Sequence, residues 1–163
     1  MQKGTSYDTC YGLIEEGRAY QKAQGFTQWT EKYPDKTAIK KDIEAGNGYV
    51  FKLDGDIAAY MCISFEKEPA YDFLSGSWHR DKNYAVFNRL SVSDRFRGQG
   101  ISNKVFELSE HLCISRGINY VRTNTAPENK LMQHIFEKNG YSFCGELDFR
   151  GGKKIAYDKV ITA

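Results

Sequence analysis

The sequence predicts an α/β (α+β) fold, in which a sheet is flanked by about four helices, and three observations support this prediction. The chain has 163 residues, 40% of them hydrophobic and 14% aromatic, which is enough for a single compact domain over 1–163. Apolar residues recur with a period of two in some segments and near 3.6 in others. Turn-forming glycines separate these segments, so strands and helices are interleaved along one chain.

Two helices and a hairpin are predicted in the first part of the chain. The helical periodicity ends just before Gly25 in one case and just before Gly46 in the other. The dipeptide Asp54-Gly55 is typical of a two-residue hairpin turn. The helices are predicted over 8–23 and 35–45, and the strands over 48–53 and 56–65.

A polar and aromatic loop is expected over 66–82, followed by a strand over 84–92 whose side chains alternate between two faces. After Gly98 and Gly100 the apolar period becomes helical, and Gly117 terminates that helix. The strand therefore leads through a glycine-punctuated turn directly into a long amphipathic helix.

The last part of the chain predicts a strand, a helix and a hairpin. The strand lies over 117–124, and the helix runs from about 126 to 138, begun by a capping box of Thr125 and Glu128. The final two strands are predicted over 141–147 and 153–161, across Arg150-Gly151-Gly152.

Charge and hydropathy exclude two classes of function. The net charge is +2, and no cluster of Lys and Arg is interleaved with aromatic residues, which argues against a nucleic-acid-binding protein. No run approaches the roughly 20 apolar residues that cross a bilayer, so no membrane segment and a cytoplasmic protein are expected. The first 80 residues hold 10 Lys and Arg against 12 Asp and Glu, and the remainder 13 against 9. The more basic half suits a polyanionic ligand, although an ordinary solvated surface explains it equally well.

The cysteines favour a reducing environment. Cys10, Cys62, Cys113 and Cys144 are far apart, and the chain has only three histidines. This pattern indicates neither a metal site nor a disulfide framework, so buried or half-buried free thiols are expected.

The turn between the strand and the long helix has the chemistry of a pyrophosphate cradle. The first turn of a helix presents N–H groups and the positive end of the helix dipole. Gly98 and Gly100 allow a phosphate to approach the backbone, because no Cβ blocks it. Arg95 and Arg97 supply positive charge, and a guanidinium can bind phosphate oxygens as a fork.

Two glycines after a strand also fit a tight turn that binds no ligand. The two arginines favour a phosphate-binding turn over this alternative. The segment is not a P-loop, since no Gly-Lys-Ser/Thr follows. It is not a dinucleotide fingerprint either, since the third glycine is missing.

These residues resemble the GNAT superfamily of acyl-CoA-dependent N-acyltransferases. The family motif Arg/Gln-x-x-Gly-x-Gly/Ala is matched at every fixed position by Arg95-Phe96-Arg97-Gly98-Gln99-Gly100. The strand over 117–124, Asn129, and the block Phe136-Glu137-Lys138-Asn139-Gly140-Tyr141 also correspond to family features. The resemblance covers about residues 83 to 147 and extends to the rest by element order.

The resemblance implies a mixed, mainly antiparallel sheet whose fourth and fifth strands splay. These correspond to the predicted strands over 84–92 and 117–124, and the pantetheine arm of acetyl-CoA pairs with the fourth. Relative to fuller family members, the first strand is expected to be missing or very short. No metal is implied. The implied cofactor-binding residues are Leu90, Ser91, Val92, Arg95, Arg97, Gly98, Gln99, Gly100, Ile101, Ser102, Asn124, Asn129 and Phe136.

Three of these positions carry alternatives. The alternative for Asn129 is an exposed polar residue in the first helical turn, although the full motif favours the cofactor role, and the alternative for Asn124 is a residue that closes a turn. Phe136 stands where the family usually has a tyrosine that gives a proton to the leaving thiolate. Either another group donates this proton, or the thiolate leaves with solvent assistance, or the domain is a non-catalytic acyl-CoA sensor.

The resemblance predicts acetyl transfer from acetyl-CoA to a primary amine, by direct attack in a ternary complex. A small cationic metabolite is the favoured acceptor, a peptide or protein amine is the alternative, and a homodimer is left open. Glu66 is the nearest carboxylate that could serve as general base, although surface solubility explains it too. Four aromatic residues are candidates for the acceptor pocket or for plain packing: Trp29, Tyr33, Tyr71 and Trp78.

Overall fold

The computed structural model describes residues 2–3, 7–26, 28–30, 33–149 and 152–162. The predicted fold class is confirmed: within these ranges, four α-helices accompany a mixed sheet in which antiparallel pairs predominate. The helices are α1 (Tyr7–Ala23), α2 (Lys36–Glu44), α3 (Ile101–Ser115) and α4 (Lys130–Lys138). The strands are β1 (Gln2–Lys3), β2 (Gly48–Leu53), β3 (Asp56–Ser64), β4 (Ser75–Gly76), β5 (Ala85–Val92), β6 (Tyr120–Thr125), β7 (Ser142–Phe149) and β8 (Gly152–Val160).

The chain divides into two compact units, of which the first comprises Met1–Ile63 and Asn88–Val105. It contains α1, α2, the antiparallel order β1-β2-β3 and the second part of β5. The β2–β3 hairpin forms at the predicted Asp54-Gly55 turn, where both residues have positive φ. β1 has two residues, which agrees with the expected very short first strand. The unit's core includes Leu13, Ile14, Trp29, Ile39, Val50 and Tyr60.

The second unit comprises Ser64–Phe87 and Phe106–Ala163. Within it, β5 pairs in parallel with β6, and the register partners run from Ala85 with Val121 to Phe87 with Thr123. This pairing stops before the C-terminal ends of both strands. β6 pairs with β8, β8 with β7, and β7 with β4, all antiparallel. The core includes Tyr71, Tyr84, Val86, Tyr120, Leu147 and Ala156.

The predicted loop over 66–82 has more structure than its sequence indicated. A 3₁₀ helix, Pro69–Phe73, and β4 lie within it. β4 has only two residues, and its pairing with β7 brings together segments about 70 residues apart, which local periodicity does not report. The loop prediction was therefore wrong at these two elements.

β4 and β7 meet backbone to backbone at two glycines. Gly76 and Gly145 are register partners, and both have a strongly positive φ, 141° and 147°. A Cβ on Gly76 would lie 2.2 Å from the carbonyl oxygen of Cys144, and one on Gly145 would lie 2.2 Å from that of Ser75. Glycine is therefore required at both positions.

The predicted start of α4 was wrong. The helix begins at Lys130, not near 126, and its N-cap is Asn129, whose side-chain oxygen accepts a hydrogen bond from the backbone N–H of Met132 at 3.1 Å. Thr125 is still part of β6 and therefore cannot cap this helix. An asparagine is a strong N-cap, so the competition between two capping sequences was decided by the length of the strand.

The remaining boundaries agree with prediction to within a few residues. α3 ends before Gly117, whose φ is 76°, and the N–H of Ile118 closes the turn on the carbonyl of Cys113. The last hairpin pairs Phe149 with Gly152, and its predicted turn residues Arg150 and Gly151 lie outside the described residues.

The four cysteines are free and buried, as predicted. Among the described residues, the helices are too short or too polar to cross a membrane.

Candidate functional site

The glycine-rich turn of the first unit leads into the N-terminus of α3. After a 3₁₀ turn over Asp94–Phe96, the chain passes through Gly98 and Gly100, whose φ values are 78° and 73°. Apart from chain neighbours, no described atom lies within 4 Å of a Cβ built on either glycine. The two glycines therefore adopt a conformation that other residues avoid, and they face open space.

The two arginines of the turn differ in how firmly they are held. The Arg97 side chain is 22% exposed, ion-paired to Asp94 at 2.5 Å, and lies 3.9 Å above the ring of Tyr20. One of its N–H groups also donates to the carbonyl of Val92 at 3.0 Å. Arg95 is 70% exposed and contacts Asp56 at 3.2 Å. Arg97 is thus fixed and Arg95 extends into solvent.

The other predicted cofactor residues of this unit lie on either side of the turn. Leu90 and Val92 are half-buried in β5, whereas the buried Ser91 hydroxyl donates a short hydrogen bond to the carbonyl of Leu13. Gln99 is exposed and donates to the carbonyl of Arg95 at 3.3 Å. Ile101 and Ser102 are half-buried in the first turn of α3.

β5 contains an irregularity that the sequence did not reveal. Arg89, directly before the predicted pantetheine-pairing segment, has a φ of 57°, which is uncommon for a residue other than glycine. Its guanidinium forms two hydrogen bonds to Asp42, and a third N–H donates to the hydroxyl of Tyr33 at 2.6 Å. Tyr60 also donates to Asp42, at 2.8 Å. Asp42 and Arg89 are 47 positions apart, so no local motif marks this pair.

The predicted cofactor residues of the second unit occupy structured positions. Asn124, in β6, donates to the hydroxyl of Tyr71 at 2.8 Å, and Asn129 caps α4. Phe136 is 2% exposed and its ring contacts Phe106, Tyr141 and Tyr157, with centroid distances of 6.0, 5.9 and 5.1 Å. Phe136 is thus part of an aromatic core cluster.

Two of the aromatic acceptor candidates lie in the first unit. Trp29 is 8% exposed and packs in the core, where its ring would lie 2.6 Å from a Cβ on Gly17. Tyr33 is half-buried and accepts the hydrogen bond from Arg89.

The other two candidates lie in the second unit beside a protein cation. The rings of Tyr71 and Trp78 have centroids 4.9 Å apart, and the Trp78 indole N–H donates to the carbonyl of Tyr71 at 2.9 Å. The guanidinium carbon of Arg122 lies 4.4 Å from the ring centroids of both Trp78 and Tyr84. Of the two candidates, Trp78 therefore already has a protein cation against its ring.

Glu66 follows the end of β3 and is exposed, and its backbone N–H donates to the hydroxyl oxygen of Ser64 at 3.2 Å. Asp72, on the 3₁₀ helix, is also exposed, and Glu68 is half-buried. The loop thus carries carboxylates that water reaches.

A second constellation was missed by the sequence reasoning. In the second unit, His79 Nδ1 lies 2.6 Å from Asp158 Oδ1 and 3.4 Å from Cys144 Sγ. The hydroxyl of Tyr120 donates to Asp158 Oδ2 at 2.6 Å. Burial raises the pKa of Asp158, but hydrogen bonds from Tyr120 and His79 outweigh it, so that the pKa lies below its usual value. Burial raises the pKa of Cys144. The three residues span 79 positions, so spacing could not have found them.

Comparison with known proteins assigns the family. The sequence model of the Acetyltransferase (GNAT) family matches residues 14–141. The uncharacterized N-acetyltransferase YesJ of Bacillus subtilis (strain 168) is 28% identical over 160 residues, covering 93% of this chain and 83% of YesJ.

Solved structures agree with that assignment. A GNAT-family acetyltransferase from Streptococcus agalactiae 2603 superimposes with a TM-score of 0.87 at 33% identity, over 96% of this chain and 91% of its own. The fold is also that of AAC(6')-Ib in complex with ribostamycin and coenzyme A, with a TM-score of 0.66 at 16% identity, over 96% of this chain and 90% of its own. This protein therefore belongs to the GNAT family of acetyltransferases, which are acyl-CoA-dependent N-acetyltransferases.

Proposed function

We propose that this acetyltransferase moves an acetyl group from acetyl-CoA to a primary amine of a small cationic molecule, directly, within a ternary complex. The observation that supports acetyl-CoA binding is the cradle at Gly98 and Gly100. Two glycines in positive φ face open space at the start of a 15-residue helix, beside the fixed guanidinium of Arg97. A pyrophosphate group needs this combination of backbone access, helix N-terminus and positive charge.

The same proposal assigns the pantetheine arm to the backbone of Leu90, Ser91 and Val92. The positive φ at Arg89 interrupts the regular strand immediately before this segment. The ion pair with Asp42 holds Arg89 in that conformation, so the start of the segment is firmly anchored.

Direct transfer is supported by the state of the thiols. Burial raises the pKa of Cys10 to about 11 and the pKa values of Cys62 and Cys113 to about 12. A thiol that holds its proton is a poor nucleophile, so a cysteinyl intermediate is not favoured. The amine nitrogen therefore attacks the thioester carbonyl itself. The C–S bond breaks, the amine loses a proton, and the CoA thiolate accepts one.

The carboxylates support a cationic acceptor better than the aromatic residues do. Glu66 and Asp72 are exposed to solvent and would attract a positively charged amine. Trp78 is a weaker argument, because Arg122 already lies against its ring. We assign Glu66 the role of general base, since amine attack requires the neutral amine.

Thiol release from acetyl-CoA in the presence of an amine panel tests this function. The panel pairs each cationic polyamine or amino acid derivative with an anionic amine and with a short peptide that has a free N-terminus. Turnover highest on small cationic amines is the expected result. Preference for the peptide supports the alternative acceptor class. CoA binding without turnover on any amine would point to a sensing role for this chain.

A further inference from the structure

We propose that His79, Cys144 and Asp158 form a binding site for a zinc-like divalent transition-metal ion. The three side chains come from separate parts of the second unit: the segment after β4, strand β7 and strand β8. Their donor atoms all lie within 4.8 Å of one another. The inference rests on this cluster alone, independently of the proposed acceptor and of acetyl transfer.

The donor set matches the preference of such ions. An imidazole nitrogen, a thiolate sulfur and a carboxylate oxygen are the three ligand types that Zn²⁺ takes in proteins. Ligands at tetrahedral positions around zinc lie roughly 3.3–3.6 Å apart, given bond lengths of about 2.0–2.3 Å. The separation between His79 Nδ1 and Cys144 Sγ is 3.4 Å and already fits.

One separation has to increase. His79 Nδ1 and Asp158 Oδ1 are 2.6 Å apart, the distance of a hydrogen bond, so the ion would take the place of the shared proton. The His79 side chain is 49% exposed, whereas that of Asp158 is 3% exposed. His79 therefore has room to move outward, and its open side offers the ion an entry path and a fourth position for water.

The oxygen donor is already oriented. The Tyr120 hydroxyl and the backbone N–H of His79 both donate to Asp158 Oδ2, at 2.6 and 2.7 Å, which leaves Oδ1 directed at the imidazole. Hydrogen bonds of this kind fix a ligand before the metal arrives.

The charges and protons balance. The Cys144 thiol releases its proton to solvent on binding. His79 Nδ1 can bind the ion only without a proton, so a proton on that nitrogen moves to Nε2 or to solvent. One thiolate and one carboxylate then neutralise the divalent ion. Burial raises the pKa of Cys144, and the positive charge of Arg122 acts in the opposite direction, toward the thiolate that would bind the ion.

Cobalt(II) tests the site, because its spectrum reports both the ligand type and the geometry. The reduced full-length protein, freed of metal with a chelator, is titrated with Co²⁺. The expected result is a sulfur-to-cobalt charge-transfer band with visible bands typical of a tetrahedral site, both displaced by Zn²⁺. No thiolate band at saturating Co²⁺ would overturn the proposal.

Matched variants test which side chains bind the ion. His79→Ala removes a half-exposed ligand, so the fold is retained, and at least a tenfold loss of Co²⁺ affinity is expected. Cys144→Ala should abolish the thiolate band, whereas Cys113→Ala, at another buried thiol, and His111→Ala, at an exposed imidazole, should leave it intact. Unchanged affinity in His79→Ala, or a band that survives Cys144→Ala, contradicts the site. Loss of acetyl transfer without loss of Co²⁺ binding would bear on the proposed function only.

Discussion

The guanidinium of Arg89 is held against the carboxylate of Asp42 by two hydrogen bonds, Nη2 to Oδ1 at 2.6 Å and Nε to Oδ2 at 2.8 Å. Both side chains are only 9% exposed, and the Tyr60 hydroxyl donates to the same carboxylate. A bidentate pair so well buried is costly to break, because the partner that remains is left charged without compensation.

Arg89→Met is therefore expected to lower the free energy of unfolding by about 3–5 kcal/mol, and Asp42→Leu by a similar amount. The double variant removes both charges and should recover much of that loss. Urea denaturation of the two single variants and the double variant measures the coupling. Additive losses in the double variant would show that the pair is not coupled.

Arg97→Ala is expected to weaken CoA binding by about 1.5–3 kcal/mol, the usual strength of a hydrogen bond to a charged group. Gly100→Val should be worse, since it places a side chain where phosphate must approach and strains a φ of 73°. Calorimetric titration with CoA measures both. Arg116→Ala, at an exposed arginine just beyond the C-terminal end of α3, is the control and should bind normally. Unchanged affinity in both cradle variants would remove the phosphate site from this turn.

Phe136→Tyr tests the missing proton donor. If departure of the thiolate limits the rate, the new hydroxyl should raise turnover, because general acid catalysis contributes about 10²- to 10⁴-fold where the geometry is right. Phe136 is buried among aromatic rings, so the hydroxyl also costs stability unless it finds a partner. A pH–rate profile with an unchanged high-pH limb would show that no acid was recruited.

Tyr157 is a second candidate for this donor, because its ring lies 5.1 Å from that of Phe136 and it has the hydroxyl that Phe136 lacks. The other tyrosine in contact with Phe136 is Tyr141, whose hydroxyl already donates a hydrogen bond to Glu110 at 2.9 Å. Tyr157→Phe should therefore lower turnover at saturating substrate with little change in CoA affinity. Equal turnover in wild type and Tyr157→Phe would exclude this residue.

The buried thiols predict a loss of stability in alkali. Burial raises the pKa of Cys113 to about 12 and that of Cys10 to about 11, from 9.0 in an exposed thiol. Well below pH 9 the thiols are protonated in both the folded and the unfolded state, so they do not change the free energy of unfolding. Between pH 9 and the folded pKa only the unfolded state ionises, so each thiol lowers stability by about 1 kcal/mol at pH 10.

Urea denaturation at pH 7.5 and pH 10 checks this expectation. Other groups also titrate in this range, so the comparison is with Cys10→Ala and Cys113→Ala. Each variant should lose less stability between the two pH values than the wild type does. A parallel loss in all three proteins would assign the alkaline effect to other groups.

The features that the sequence predicted well are those with a local signal. The glycine-punctuated turn from β5 into α3 is one, because Gly98, Gly100 and the helical period all lie within a short window. The Asp54-Gly55 hairpin is another, since the dipeptide itself selects the turn.

The features that it missed depend on distant partners. Nothing near Arg89 marks Asp42 as its partner, and nothing near His79 marks Asp158. The start of α4 was missed for a different reason. Two adjacent sequences could each cap a helix, and the extent of β6, set by its pairing with β8 as far as Thr125, decided between them.

The contact between Gly76 and Gly145 has an evolutionary consequence. Backbone atoms alone make this close approach, so glycine is required at Gly76 in β4 and at Gly145 in β7. The contact does not specify the other side chains of the segment that contains β4. Phe73, three residues before Gly76, is 82% exposed, so packing does not require an aromatic ring there. A homologous chain that keeps both glycines can therefore change the exposed side chains around β4. A larger residue at either glycine requires a rearrangement of the opposite strand.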